Sequence, residues 1–231
     1  MGELVEVYLE DGLTGGRILC PQKLTPSAGQ YLLAHDPASP DRHGPGRADA
    51  PLAAPVFNAG SASGGFLVAP PIPLNWHPGL SLSLRGPLGR GFSMPASAHC
   101  VALIVLAETS SRLKPLLADA LRQGASVVMV SDLILPGLPP EVEVRPVAAL
   151  EEVAGWADYL AIDVARESLL GLLDKLGVGR QTEVKREAQV LVRTPMPCGG
   201  MADCGVCAVT VRRGWKMACK DGPVFGLDEL V

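Results

Sequence analysis

The sequence has no excess of positive charge: its formal net charge is −4 and its pI lies near 5.6. No basic face of the kind that holds nucleic acid is therefore expected. It has no long apolar run either. The longest, Val101 to Ala107, is far below the roughly 20 residues that cross a bilayer as a helix. No lysine or arginine stands at the amino terminus, where Met1-Gly2-Glu3-Leu4-Val5-Glu6 carries acid instead. That is not the start of a secretory leader, and the expected location is the cytoplasm. There is no internal repeat. His35, His43, His77 and His99 show no ligand spacing and read as surface or turn residues. No nucleophile stands beside a base in a pattern that would name a catalytic residue.

What is present is a chain of 231 residues, 48% of them apolar. This allows one large domain, or two modest ones with a small module, around a packed core. Residues 1–98 read as β structure. Short apolar runs at Glu3–Leu9, Arg17–Cys20, Gln30–Ala34, Gly65–Val68 and Leu80–Leu84 are separated by Gly and Pro clusters, the rhythm of a small antiparallel barrel. Asp36–Asp49, rich in Pro, Gly, Asp and Arg, reads as an exposed loop. At residue 99 the rhythm changes. Cys100–Leu106 is continuously apolar, as a strand buried on both faces must be. A helical pattern follows over Ser110–Gln123, stopped by Gly124. Strands at Ser126–Val130, Val142–Val144 and Tyr159–Ile162 alternate with helices at Ala148–Ala157 and Arg166–Leu176. Residues 99–186 therefore form a doubly wound parallel α/β domain. Gly177–Gly179 ends it, and a strand at Glu187–Arg193 leads into a last module, residues 187–231.

Six cysteines remain. Cys20 and Cys100 stand alone beside apolar residues and read as small buried hydrophobes. The other four are spaced Cys198-x5-Cys204-x2-Cys207-x11-Cys219. In a reducing compartment such clustering points to metal rather than to disulfides. A [2Fe-2S] cluster needs two thiolates on each iron. The glycines after Cys198 and Cys204 let backbone N–H groups approach its sulfides. Val209–Val211 and Trp215–Met217 pair as a hairpin around Arg212-Arg213-Gly214, bringing Cys219 back to the loop. Zinc also takes four thiolates, and redox-active thiols are a third reading. Zinc ribbons present two short knuckles, however, and only Cys204 and Cys207 form one here. The cluster reading is preferred.

Cys198-Gly-Gly, Cys204-Gly-Val-Cys207 and above all Cys219-Lys-Asp-Gly-Pro-Val-Phe225 resemble the end of the dihydroorotate dehydrogenase electron-transfer subunit family. Subunits of NAD-dependent ferredoxin:NADP oxidoreductase and of sulfide dehydrogenase carry a similar ending. Upstream, Ser27-Ala28-Gly29-Gln30-Tyr31 and Gly86-Pro87-Leu88-Gly89-Arg90-Gly91-Phe92 are similar to elements of a ferredoxin-reductase barrel. The resemblance implies a ferredoxin-reductase-like chain, α/β plus β, of three parts: a flavin-reductase-like β-barrel, the α/β domain and a [2Fe-2S] module. It implies Cys198, Cys204, Cys207 and Cys219 as metal ligands, and Gly86 and Gly89 as cofactor-binding residues. It implies an electron-transfer subunit that relays electrons to or from a catalytic flavoprotein partner in a hetero-oligomer. Dihydroorotate dehydrogenase of pyrimidine biosynthesis is the model for that partner. The chain would not be catalytically complete alone.

Three departures qualify this picture. Ala53-Ala54 precede Pro55 where the family has an arginine for the FAD pyrophosphate, so FAD stays open. Ala107-Glu108-Thr109 follows the first α/β strand where the family has glycines, and Glu108 would repel a pyrophosphate, so NAD is doubtful. The loop after Cys198 is one residue longer than usual, which admits Asp203 as an alternative oxygen ligand. Arg85 and Arg90 read either as solvated residues or as partners for a phosphate or carboxylate, and Trp215 and Phe225 read as shields of the cluster. A scaffold or redox-sensing subunit with vestigial reductase domains is the alternative function.

Overall fold

The computed structural model describes residues 1–10, 12–37, 53–176 and 187–230. The expected end of the α/β domain at Gly177–Gly179 and all but the start of the Asp36–Asp49 loop lie outside these residues.

Six antiparallel strands close the barrel. They are β1 (Gly2–Glu10), β2 (Leu13–Leu19), β3 (Tyr31–His35), β4 (Ala54–Ala62), β5 (Gly65–Val68) and β6 (Leu80–Leu88), joined in the order β1-β2-β5-β4-β3-β6. Leu4, Ile18, Leu32, Val56, Phe66, Val68 and Leu82 fill its interior. Strand β4 was not expected. Its sequence, Ala-Pro-Val-Phe-Asn-Ala-Gly-Ser-Ala, has little intrinsic strand preference. Pairing with β3 and β5 on either side supplies what propensity does not.

The second layer is a sheet in which β7 (Cys100–Leu106), β8 (Ser126–Val130), β9 (Val142–Arg145), β10 (Tyr159–Ala165) and β11 (Glu187–Arg193) run parallel in the order β11-β10-β7-β8-β9. Successive residues of β7 face opposite sides. Val101, Leu103 and Val105 meet helix α1 (Lys114–Arg122) through Leu116, Leu117 and Ala120. Ala102 and Ile104 share the other core with helices α2 (Leu150–Trp156) and α3 (Leu169–Lys175). This is why β7 reads as unbroken hydrophobicity. Each of the three helices is entered through a 3-10 turn, at Ser111–Leu113, Val147–Ala149 and Arg166–Ser168.

Strand β11 pairs with β10 along its whole length, so the chain enters the cysteine segment from inside the sheet. The tail then forms the hairpin β12 (Ala208–Val211) and β13 (Gly214–Met217), the short helix α4 (Ala218–Asp221), and β14 (Val224–Gly226). Strand β14 returns to the sheet and pairs antiparallel with β11. The tail thus shares a core with the sheet and with Tyr31 and Leu33 of the barrel. Phe225 lies wholly inside that core, but Trp215 is 67% exposed. Trp215 therefore does not shield the cysteines as expected. It sits on the outer face of a two-stranded ribbon, opposite Thr210.

Candidate metal centre

The loop from Cys198 to Cys207 is built on left-handed backbone. Gly199 and Gly200 have φ of +63° and +73°, and Ala202 takes +63° without being glycine. Successive residues in such turns aim their N–H groups into one concavity, a nest for an anion. Here the backbone N–H groups of Met201, Ala202 and Asp203 favour the thiolate of Cys198, and that of Ala202 favours the thiolate of Cys219. The hairpin carries Cys219 back as expected: Ala218 N–H donates to the Cys207 carbonyl at 3.0 Å.

The structure brings all four predicted thiols together. They fall into two adjacent pairs, Cys198 with Cys204 and Cys207 with Cys219. Cys207 and Cys219 are buried, Cys198 is half-buried and Cys204 is exposed. The pairs are electrostatically distinct. Burial opposes ionisation of Cys198, but hydrogen bonds from Cys204 and the three backbone N–H groups prevail and bring its pKa to about 6. Burial and the neighbouring Cys207 push Cys219 up to about 12. Cys198 is therefore held towards the thiolate and Cys219 towards the thiol. Among the described residues no three Cys, His, Asp or Glu side chains converge on a single-ion position. Four cysteines on one loop and hairpin supply the thiolate donors that an iron-sulfur cluster takes. The site fits a cluster in its donors and in its N–H groups. Asp203 contributes its backbone N–H to Cys198.

The barrel holds this site in place. Tyr31, fully buried in β3, donates its hydroxyl to the Cys219 carbonyl at 2.7 Å. Arg85 Nη2 donates to the Gly199 carbonyl at 3.0 Å. Arg90 pairs with Glu229 at 2.9 Å, and Lys216 with the same carboxylate at 2.6 Å. Both arginines expected at the barrel loop are thus committed within the chain. Gly89 packs on the cysteine segment as well: a Cβ there would lie 2.6 Å from the Gly222 carbonyl oxygen. Gly86, preceding Pro87 in β6, would meet Leu32 Cδ2 at 2.6 Å. Both glycines serve backbone packing.

A cavity of about 230 Å³ lies at the seam of barrel and cysteine loop, lined by Leu33, Ala53, Ser83, Arg85, Cys198 and Met201 among others. This is below the roughly 300–1,000 Å³ of ordinary ligand sites. Its lining includes Ala53, one of the two alanines at the expected arginine position, and Arg85, whose guanidinium is bonded to Gly199. A wider cleft of about 480 Å³ lies elsewhere, between Ser27-Ala28 and α1.

Sequence reasoning missed Asp163. It is completely buried near the end of β10 and bridges Arg112 and Arg193. The expected strand stopped at Ile162, one residue short. A carboxylate inside an apolar strand was the available signal, because a buried charge must be paired. Glu108, expected to repel a pyrophosphate, is gripped by the same two arginines.

Residues 194–231 match the family described as the iron-sulfur cluster binding domain of dihydroorotate dehydrogenase B. The whole fold is similar to the NADH-dependent reduced ferredoxin-NADP oxidoreductase, with a TM-score of 0.71 at 17% identity, over 99% of this chain and 89% of that one. Amycolatopsis cytochrome P450 reductase GcoB is similar over 83% of this chain and 69% of that one, with a TM-score of 0.60 at 14% identity. The ferredoxin reductase in carbazole 1,9a-dioxygenase is similar over 81% and 67%, with a TM-score of 0.59 at 14% identity. The chain thus has the fold of a ferredoxin-reductase-like barrel and sheet, and its last 38 residues match an iron-sulfur cluster binding domain.

Proposed function

We propose that this chain is the electron-transfer subunit of a larger oxidoreductase, with a [2Fe-2S] cluster on Cys198, Cys204, Cys207 and Cys219. The observation that carries the reading is that one left-handed loop and the hairpin returning to it hold all four cysteines, in a segment that matches an iron-sulfur cluster binding domain. When bound, the cluster supplies a one-electron carrier. The chain's own groups do the rest. N–H groups directed at Cys198 offset the negative charge that reduction adds. Buried Cys207 and Cys219 keep water from one side, while Cys204 and its neighbours Asp203, Gly205 and Val206 are exposed and offer the route by which a partner approaches. The relay partner is a catalytic flavoprotein subunit, of which dihydroorotate dehydrogenase is the type, in a cytoplasmic hetero-oligomer. Among the described residues no helix is long and apolar enough to cross a membrane.

Anaerobically purified protein tests this directly. Iron and acid-labile sulfide near two each per chain, with a rhombic electron paramagnetic signal on reduction, are expected. Stoichiometric zinc without sulfide refutes the reading. The same absorption spectrum reports whether FAD accompanies the cluster. A cluster that stays oxidised while the assembled complex turns over makes the chain a scaffold instead.

A further inference from the structure

In open α/β sheets ligands sit outside the carboxyl ends of the strands, where the strand order reverses. That point lies here between β7 and β10, and the chain fills it with its own side chains. Asp163 Oδ2 accepts from Arg112 Nε at 2.7 Å, and its Oδ1 accepts from Arg193 Nε at 2.9 Å. With those arms fixed, the terminal nitrogens of both arginines close on Glu108: Arg112 Nη2 to Oε1 at 3.1 Å and Arg193 Nη1 to Oε2 at 2.7 Å. Arg112 spends its remaining nitrogen on the Pro70 carbonyl of the barrel side at 3.0 Å. Beside it, Glu10 at the end of β1 accepts from Ser111 Oγ and Lys114 Nζ, both at 2.6 Å, at the start of α1.

The two carboxylates of the square are not equivalent. Asp163 is fully buried with both oxygens used, so it is a fixed structural partner. Glu108 stands on the loop after β7 and is 40% exposed. Two guanidinia clasping one oxyanion is the arrangement that proteins use for phosphate as readily as for carboxylate. We propose that Arg112 and Arg193, set by Asp163, form a phosphate-class oxyanion seat at the switch point, and that Glu108 keeps it shut by occupying it as the chain's own ligand. The two carboxylates and two guanidinia cancel in charge. An incoming phosphate gains no net attraction, and it must leave the displaced Glu108 carboxylate beside itself. The wild-type chain therefore takes no electrons from a pyridine dinucleotide at this position. This does not rest on the cluster assignment.

The test is calorimetric titration of the full-length protein with inorganic pyrophosphate, and separately with NADH, at low ionic strength. The proteins compared are wild type, Glu108→Ala, Glu108→Gln and the double variant Glu108→Ala with Arg193→Met. Glu108→Gln keeps the side chain's volume and one acceptor oxygen, so it serves if the alanine variant does not fold. Pyrophosphate should bind the glutamate variants at least about tenfold more tightly than wild type, and the double variant should lose the gain. A gain for pyrophosphate alone marks a bare phosphate seat, and a gain for both ligands marks a dinucleotide site held closed. Equal binding by wild type, or no gain in a glutamate variant whose far-UV spectrum and iron content match wild type, overturns the proposal.

Discussion

Replacing Asp163 by Asn should cost about 3–5 kcal/mol, the usual penalty for removing one partner from a buried ion pair. Asp163 is 0% exposed, and Arg112, which it holds at 2.7 Å, is only 4% exposed. Asparagine keeps one acceptor oxygen, so one of the two bonds survives. Its NH₂ then faces the second guanidinium, donor against donor, and a buried cation loses its counter-charge. With a urea slope of about 3 kcal/mol per molar, the upper end of the usual range as suits a chain of this size, the midpoint should fall by on the order of 1–2 M at unchanged slope. Far-UV circular dichroism and tryptophan fluorescence under anaerobic conditions give that midpoint. The double variant Asp163→Leu with Arg112→Met should recover most of the loss, since a neutral packed pair replaces both charges. A loss below about 1 kcal/mol in Asp163→Asn would show that water already shares the site, and the account of a dry, self-completed ion square would be wrong.

Cys204→Ser, Cys207→Ser and Cys219→Ser should each lose most of the cluster's visible absorption, while Cys20→Ser and Cys100→Ser keep it. If Cys198→Ser keeps a normal spectrum and Asp203→Ala loses it, the oxygen-ligand alternative is correct. Tyr31→Phe strands the buried Cys219 carbonyl, so it should cost about 1–3 kcal/mol and shift the cluster's midpoint potential measurably in a redox titration; an unmoved potential limits Tyr31 to a packing role. Anaerobic NADH or NADPH should leave the cluster of the isolated chain oxidised, and prompt bleaching at micromolar nucleotide would restore a full reductase function.

The sequence was most legible where one physical demand dominated. Strands β7, β8 and β11 appeared at their observed boundaries, because each is centred on a compact apolar stretch, Val101–Leu106, Val127–Val130 and Val190–Val192, as a strand covered on both faces must be. The cysteine hairpin was legible because Cys219 must return to the loop and Arg212-Arg213-Gly214 offers a turn. Strand β4 was not, since its small residues carry no pattern and only its neighbours on both sides define it. Glu108 was singled out as an anion opposed to a pyrophosphate, but its two arginine partners were not seen. A sequence shows a carboxylate at the switch point. It does not show Arg112 from the following turn and Arg193 from a strand 85 residues away arriving on either side of it. Tyr31 was seen only as part of a barrel motif, and its tie to the cysteine module was missed for the same reason, its partner being 188 residues distant.

The barrel's part in such a chain can be read from what it touches. An electron carrier needs its redox centre at a fixed distance from its donor, and a 38-residue tail on its own would not hold one rigidly. Here the tail is tied on both sides. Strand β14 locks it to β11 of the sheet, and Arg166 donates to the carbonyls of Val206 and Ala208 from the turn before α3. On the other side the barrel offers Tyr31, Arg85 and the Gly89–Arg90 turn, which pairs with Gly222-Pro223. The fit is close enough that a Cβ on Gly200 would lie 3.0 Å from the Tyr31 hydroxyl. The barrel therefore has a structural reason to persist whether or not a flavin binds beside it: it is the wall against which the four thiols are set.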